Sequence, residues 1–289
     1  MDGSLLSGSR FQKHPEGVGT IVFRVEDIEK TFLLLEERGG TPMTQVLWNR
    51  LPDGSQYGQF SITTPFGDTT FRFIQREGRA APFPGFKPHP KWKGGTNRYQ
   101  FSHIDSITSN FPTIQPVVLW LQEVLGFQKY WSVAFHTKDS AKSQHQGSGV
   151  KTMVMWDPLS KVKFALNEPA RPNFRDSQIN LFYEANRGSG VQHIALACAN
   201  IQTTVRMLRT NGVSFMSTPD SYYDALPHRL KESGIGKIDV PVESLKDLGL
   251  LVDGESQDAY MLQIFLKEQA EQYQDIHAGP FFLEIIQRC

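Results

Sequence analysis

The sequence predicts an α+β fold assembled from three βαβββ-type units, and an internal repeat carries this prediction. The segment from Gly17, GVGTIVFRVEDIEKTFLLLEERGGTPM, aligns without a gap on the segment from Gly190, GVQHIALACANIQTTVRMLRTNGVSFM. The strand-like end TTFRFIQR, from Thr69, likewise matches FFLEIIQR, from Phe281. Self-similarity at a fixed offset is typical of repeated supersecondary units. We therefore expect the same unit near both ends of the chain.

Each copy shows the pattern of an apolar strand, a helix with apolar residues at helical spacing, and further strands. In the first copy Asp27 is a predicted N-cap, and Gly39 or Gly40 a predicted helix stop. Between the copies, FSHIDSI from Phe101 begins a strand, the segment 117–125 reads as a helix, and TMVMW and KVKFALNEP supply more strands. These elements make up the third unit.

The Pro- and Gly-rich run AAPFPGFKPHPKWKGG marks the predicted domain boundary. We expect a non-catalytic N-terminal unit over residues 1–80, a linker over 81–97, and a catalytic, metal-binding domain of two units over 98–289. The two units of that domain should pack together, because they would share one metal.

Composition excludes several classes of function. The 289 residues include 30 Lys and Arg and 30 Asp and Glu, so the chain lacks the basic excess that nucleic-acid binding needs. Two cysteines, Cys198 and Cys289, provide neither a disulfide framework nor a Cys-rich metal site. No apolar run approaches the roughly 20 residues of a membrane helix. We expect a cytoplasmic protein with neither nucleic-acid nor membrane partners.

Three residues occupy positions suited to a shared metal site: His103, His193 and Glu284, all in predicted strands. Alternate side chains of a strand face opposite ways, so each can point to the concave side of a sheet. Two imidazoles and one carboxylate form the facial triad of non-haem Fe(II) oxygenases, which leaves coordination positions open. An α-keto acid and O₂ could occupy these positions. We therefore predict one Fe(II) per chain.

The first copy of the repeat serves as an internal control for this prediction. Thr20 and Arg72 stand there at the positions of His193 and Glu284. The fold signals are therefore kept where the ligands are not, which favours metal binding over a purely structural role. A lone His in an apolar strand is otherwise more often a hydrogen-bonded core residue.

The ordered motifs GVQHIAL, LNEP with SQI, TPDSYYDAL, LLVD, LQIF and FFLEIIQR resemble the 4-hydroxyphenylpyruvate dioxygenase family of the vicinal oxygen chelate superfamily. The resemblance runs from about Gly17 to Arg288. It implies the vicinal oxygen chelate fold, in which repeated βαβββ units form open-barrel sheets with helices outside. It also implies Fe(II) held by His103, His193 and Glu284, and conversion of 4-hydroxyphenylpyruvate and O₂ to homogentisate and CO₂ in tyrosine and phenylalanine catabolism.

The resemblance further implies a set of substrate contacts. Gln263 and Gln178 would bond the ring end of the substrate or its water network, with Gln263 and Asn167 in catalytic roles. Asn167 and Gln192 would support that network, and Phe265 and Phe282 would pack on the ring. Thr152 aligns with a serine usual in the pocket.

Some features depart from the family pattern. The pattern Asp-His-Ile/Val-x-Gly-Asn, usual around the first ligand, is here FSHIDSIT. We expect the chain to lack the family's first βαβββ unit and its C-terminal helix, and to form a homo-oligomer that covers the exposed sheet. Thr152 and Ala165 leave open a 4-hydroxymandelate synthase-type reaction on the same substrate. A metal-binding homologue without turnover is a further alternative.

Overall fold

The computed structural model describes residues 13–51, 54–78, 96–136, 149–170, 177–254 and 259–289. The chain divides into two compact units, one made of segments 1–95 and 109–191 and the other of segments 96–108 and 192–289. The predicted linker 81–97 lies almost wholly outside the described residues. The predicted domain boundaries stay a prediction.

The first unit contains the first copy of the repeat as a four-stranded sheet in the order β1-β4-β3-β2. Strand β1 pairs with β4 in parallel, whereas β3 pairs with both β2 and β4 antiparallel. This sheet is formed by β1 (Thr20–Arg24), β2 (Leu47–Arg50), β3 (Gln56–Ile62) and β4 (Thr70–Glu77), with helix α1 (Ile28–Glu37).

The same unit holds most of the middle copy. Its members are α2 (Gln115–Glu123), β6 (Gln128–His136), β7 (Gly149–Trp156), β8 (Lys163–Pro169) and α3 (Gln178–Ala185). Strand β7 pairs antiparallel with both neighbours. Buried aromatic rings fill the core, and Phe164 lies 5.4 Å from Phe66 and 5.5 Å from Phe71 between ring centroids. Burial of rings of this size is a large hydrophobic contribution.

The second unit contains the strands of the last copy together with most of the first strand of the middle copy, β5, in the order β10-β11-β12-β9-β5. The chain passes between the two units within β5 (Phe101–Asn110) and at the start of β9 (Gly190–Cys198). The remaining elements are α4 (Ile201–Thr210), α5 (Asp220–Glu232), α6 (Val242–Leu248), β10 (Leu251–Gly254), β11 (Tyr260–Phe265), α7 (Gln269–Tyr273), a 3₁₀ turn (Ile276–Ala278) and β12 (Phe282–Arg288).

One face of this sheet packs on helices. Leu262, Ile264 and Ile285 of the sheet form a buried cluster with apolar residues of α4, α5 and α6, such as Val205 and Leu245. Because side chains alternate along a strand, the residues between them face the other way. That second face carries Phe265 and Glu284.

The structure confirms the internal repeat. Helices α1 and α4 begin and end at the offset of the sequence alignment. Their N-caps also correspond, since Asp27 accepts from the N–H of Lys30 and Asn200 from that of Thr203. A side-chain oxygen at the N-cap satisfies a backbone donor that the helix leaves unpaired.

None of the helices in the described residues is both long and apolar enough to span a membrane.

Candidate active site

A buried His–Glu pair lies at the centre of the second unit. His193 Nε2 lies 3.2 Å from Glu284 Oε2, and the two residues are only 8% and 5% exposed. Strand pairing explains the contact. β9 and β12 run in parallel with His193 beside Phe282, so Glu284, two residues further along β12, lies on the same face. Two polar side chains this deeply buried require each other as partners.

Two aromatic rings flank this pair. The Phe282 ring stacks on the His193 imidazole with 4.9 Å between centroids, and the Phe265 ring meets it edge-on at 5.5 Å. Phe265 stands opposite Glu284 in the antiparallel pairing of β11 with β12. The result is a polar pair with an aromatic wall, which is the composition expected of a site for an aromatic ligand.

Gln192 fixes the protonation pattern that suits metal binding. His193 Nδ1 lies 3.3 Å from Gln192 Oε1 and can only donate to that carbonyl oxygen. In the neutral ring, a hydrogen on Nδ1 leaves Nε2 as the nitrogen that can bind a metal. In metal-binding histidines, the ring nitrogen that does not bind the metal typically donates its N–H to a neighbouring acceptor in this way.

His103 does not join the pair. It is exposed on β5, and its Nδ1 lies 2.9 Å from the hydroxyl of the preceding Ser102. Across the described residues, no three His, Cys, Asp or Glu side chains are grouped so that they could hold a metal ion. Of the expected triad of His103, His193 and Glu284, the structure brings the last two together and leaves His103 outside the group.

A second ion pair ties β5 to β12. Arg288 donates from Nε and Nη2 to the two carboxylate oxygens of Asp105, each at 2.7 Å. The Asp105 side chain is almost fully buried, and that of Arg288 is partly exposed. Bidentate pairing of this kind fixes geometry as well as charge. Sequence reasoning assigned a role to neither residue.

The remaining predicted contacts fall into two groups. Gln263 is half-buried on β11, on the face of Phe265 and Glu284, and its role stays a prediction. Asn167, Thr152 and Gln178 belong to the first unit. There Thr152 Oγ1 donates to Asn167 Oδ1 at 2.7 Å, and Asn167 Nδ2 to Asn110 at 3.1 Å. Gln178 is exposed in the first turn of α3. The roles predicted for these three residues stay predictions.

Comparisons with known proteins identify the family. The profile of the Glyoxalase/Bleomycin resistance protein/Dioxygenase superfamily matches residues 103–226. The 4-hydroxyphenylpyruvate dioxygenase of Caenorhabditis briggsae is 33% identical over 97% of this chain and 70% of its own length. That of Danio rerio is 32% identical over 97% of this chain and 68% of its own length. The chain belongs to the 4-hydroxyphenylpyruvate dioxygenase family.

Solved structures agree on the fold. A triple mutant of 4-hydroxymandelate synthase from Streptomyces coelicolor superposes with a TM-score of 0.73 at 19% identity, over 97% of this chain and 73% of that one. A fusion of a xylose isomerase-like TIM barrel with 4-hydroxyphenylpyruvate dioxygenase gives a TM-score of 0.65 at 18% identity, over 98% of this chain and 40% of that one. The predicted α+β fold of repeated βαβββ units is thereby confirmed.

The donor set present in this family member does not fit a three-residue iron site. His193 and Glu284 offer one imidazole and one carboxylate, both suitable for iron. Within the residues that the structure describes, no second imidazole joins this group. The described chain therefore provides two of the three protein ligands that the sequence led us to expect.

We predict that the replacement Arg288→Met lowers the free energy of unfolding by about 1–3 kcal/mol, because the buried Asp105 carboxylate loses a charged partner. Chemical denaturation would measure this change. The matched control is Lys246→Met, which removes an exposed pair with Asp220 and should cost under about 1 kcal/mol. Equal losses in the two variants would contradict a structural role for the Arg288 pair.

Proposed function

We propose that the protein is a dioxygenase that converts 4-hydroxyphenylpyruvate and O₂ to homogentisate and CO₂ in an iron(II)-dependent reaction of tyrosine catabolism. The observation that carries this proposal is the buried contact between His193 and Glu284, with the rings of Phe265 and Phe282 beside it. Relatives named for that reaction are about one-third identical to this chain over almost its whole length.

The residues of this face suit an aryl pyruvate by their chemistry. Phe265 and Phe282 can pack on an aromatic ring in an edge-on or stacked manner. Gln263 places an amide on the same face, where it can bond a ring hydroxyl, since buried amides need partners. His193 and Glu284 would hold the iron, one ion per chain. The homo-oligomeric state stays a prediction.

The proposal predicts that His193→Ala and Glu284→Ala each abolish iron binding and substrate-dependent oxygen uptake. Each removes one of the two described side chains that would hold the iron, whereas the control Thr20→Ala alters the equivalent position of the first copy and should change neither quantity. Anaerobic Fe(II) titration and an oxygen electrode with 4-hydroxyphenylpyruvate measure the two effects. Wild-type protein loaded with iron that consumes no oxygen would contradict the proposed reaction.

Product analysis separates homogentisate from 4-hydroxymandelate, the product of the alternative reaction. The two acids have the same composition, so chromatographic retention must distinguish them. Homogentisate is the expected product. 4-Hydroxymandelate would assign the chain to the alternative reaction, and absence of both would assign it to the metal-binding homologues without turnover.

For Gln263 we predict a role in selecting the ring hydroxyl. Gln263→Leu should reduce kcat/KM for 4-hydroxyphenylpyruvate by about tenfold or more, while that for phenylpyruvate, which lacks the hydroxyl, changes little. Steady-state kinetics with both substrates measures this. A similar loss for both substrates would show that Gln263 supports the site without reading the hydroxyl.

A further inference from the structure

The start of the first helix is held in the same way in all three copies of the repeat. A backbone N–H of a buried isoleucine donates, at 2.8 Å, to a side-chain oxygen on the last strand of its copy. These pairs are Ile28 with Gln75, Ile114 with Glu168, and Ile201 with Gln287. The three isoleucines therefore occupy equivalent positions.

A second hydrogen bond supports this equivalence for the first and middle copies. Val25 donates to the carbonyl of Ile74, and Phe111 donates to that of Asn167. Each donor lies three residues before its isoleucine, and each acceptor lies one residue before the glutamine or glutamate. The two copies are thus aligned without a gap from the end of the strand to the start of the helix.

Burial along the three helices agrees with the same alignment. The residues four and seven positions after each isoleucine are apolar and at most 7% exposed. They are Phe32 and Leu35 in the first copy, Val118 and Leu121 in the middle copy, and Val205 and Leu208 in the last. An apolar stripe at this spacing is the face by which a helix packs on its sheet.

The position of the metal-binding histidine follows by counting along the aligned strands. His193 lies eight residues before Ile201, and the residues eight positions before Ile28 and Ile114 are Thr20 and Ser106. His103 lies three residues before Ser106 and corresponds to Gly190, not to His193.

This register separates His103 from the site. Residues three apart on a strand point to opposite faces, and their Cα atoms are about 10 Å apart. The exposure of His103 agrees with this placement, whereas Ser106 is half-buried. Strand β5 neighbours β9 in the sheet. Ser106 is therefore on the strand next to His193.

We infer that Ser106 occupies the third ligand position of the metal site. For the identity of the metal, this inference rests on the proposed function. A neutral serine hydroxyl is a weak ligand for Fe(II) compared with imidazole. The site therefore binds iron through one imidazole and one carboxylate, and the chain can be given a complete three-ligand site by one substitution.

The test compares anaerobic Fe(II) binding by wild-type protein, Ser106→His, His103→Ala and Thr20→His. Removal of a residue that only hydrogen-bonds a metal ligand lowers metal affinity by about 10–100-fold. A whole new ligand in Ser106→His should therefore raise the affinity for Fe(II) by at least about tenfold. His103→Ala should leave affinity unchanged. Thr20→His is the matched control, because Arg72 stands there in place of the glutamate, and it should add no iron site.

Each outcome decides the inference. A tenfold gain in Fe(II) affinity in Ser106→His that is lost again in Ser106→His/His193→Ala supports the inference, because the new histidine then binds the same metal as His193. Weaker iron binding by His103→Ala overturns it, even if Ser106→His fails to fold, and so does a folded Ser106→His without gain. These are binding measurements, whereas the proposed function fails on oxygen uptake and product analysis, so the two failures are distinguishable.

Discussion

The parallel pairing of β9 with β12 is the constraint on which the site depends. It places His193 beside Phe282 and brings Glu284 to the same face, where the imidazole and the carboxylate meet at 3.2 Å. The antiparallel neighbour β11 then adds Phe265 opposite Glu284. A shift of one residue in either pairing would turn these side chains toward the helices, where Leu262 and Ile285 are packed. The hydrophobic core thus fixes the register of these strands, and this register brings the residues of the site together.

One hydrogen bond between sheet and helix recurs in each copy of the unit. A glutamine or glutamate near the end of the last strand accepts from the backbone at the start of the first helix, which ties the crossing helix to its sheet. The first copy keeps this contact with Thr20 and Arg72 at the ligand positions, where Arg72 instead donates to Ser61. Folding and metal chemistry are therefore carried by different residues of one repeated pattern.

Much of the fold was predictable because the repeat is long and free of gaps. The alignment from Gly17 on Gly190 located both N-caps, and the motif around His193 and Glu284 located the polar pair. The first strand of the middle unit was harder, since FSHIDSIT offers a histidine two residues before the aspartate. Laying Asp105 and Asn110 on the usual Asp-His-Ile/Val-x-Gly-Asn pattern places Ser106, not His103, at the ligand position.

Contacts between residues far apart in the chain could not be predicted from the sequence, for a physical reason. Asp105 and Arg288 are joined only because β5 and β12 lie in one sheet, and no local pattern of charge or periodicity reports that contact. The exposure of His103 on β5, beside a buried pair of His193 and Glu284, likewise appears only in the folded sheet. Such facts follow from tertiary packing.

The most direct measurement of the account's central claim is the number of imidazole ligands on iron in the wild-type protein. X-ray absorption spectroscopy of the Fe(II)-loaded chain counts these through the scattering of the imidazole ring. One imidazole, from His193, is the result that the structure predicts. Two imidazoles would contradict it, because in the described part of the chain no second histidine is grouped with His193 and Glu284.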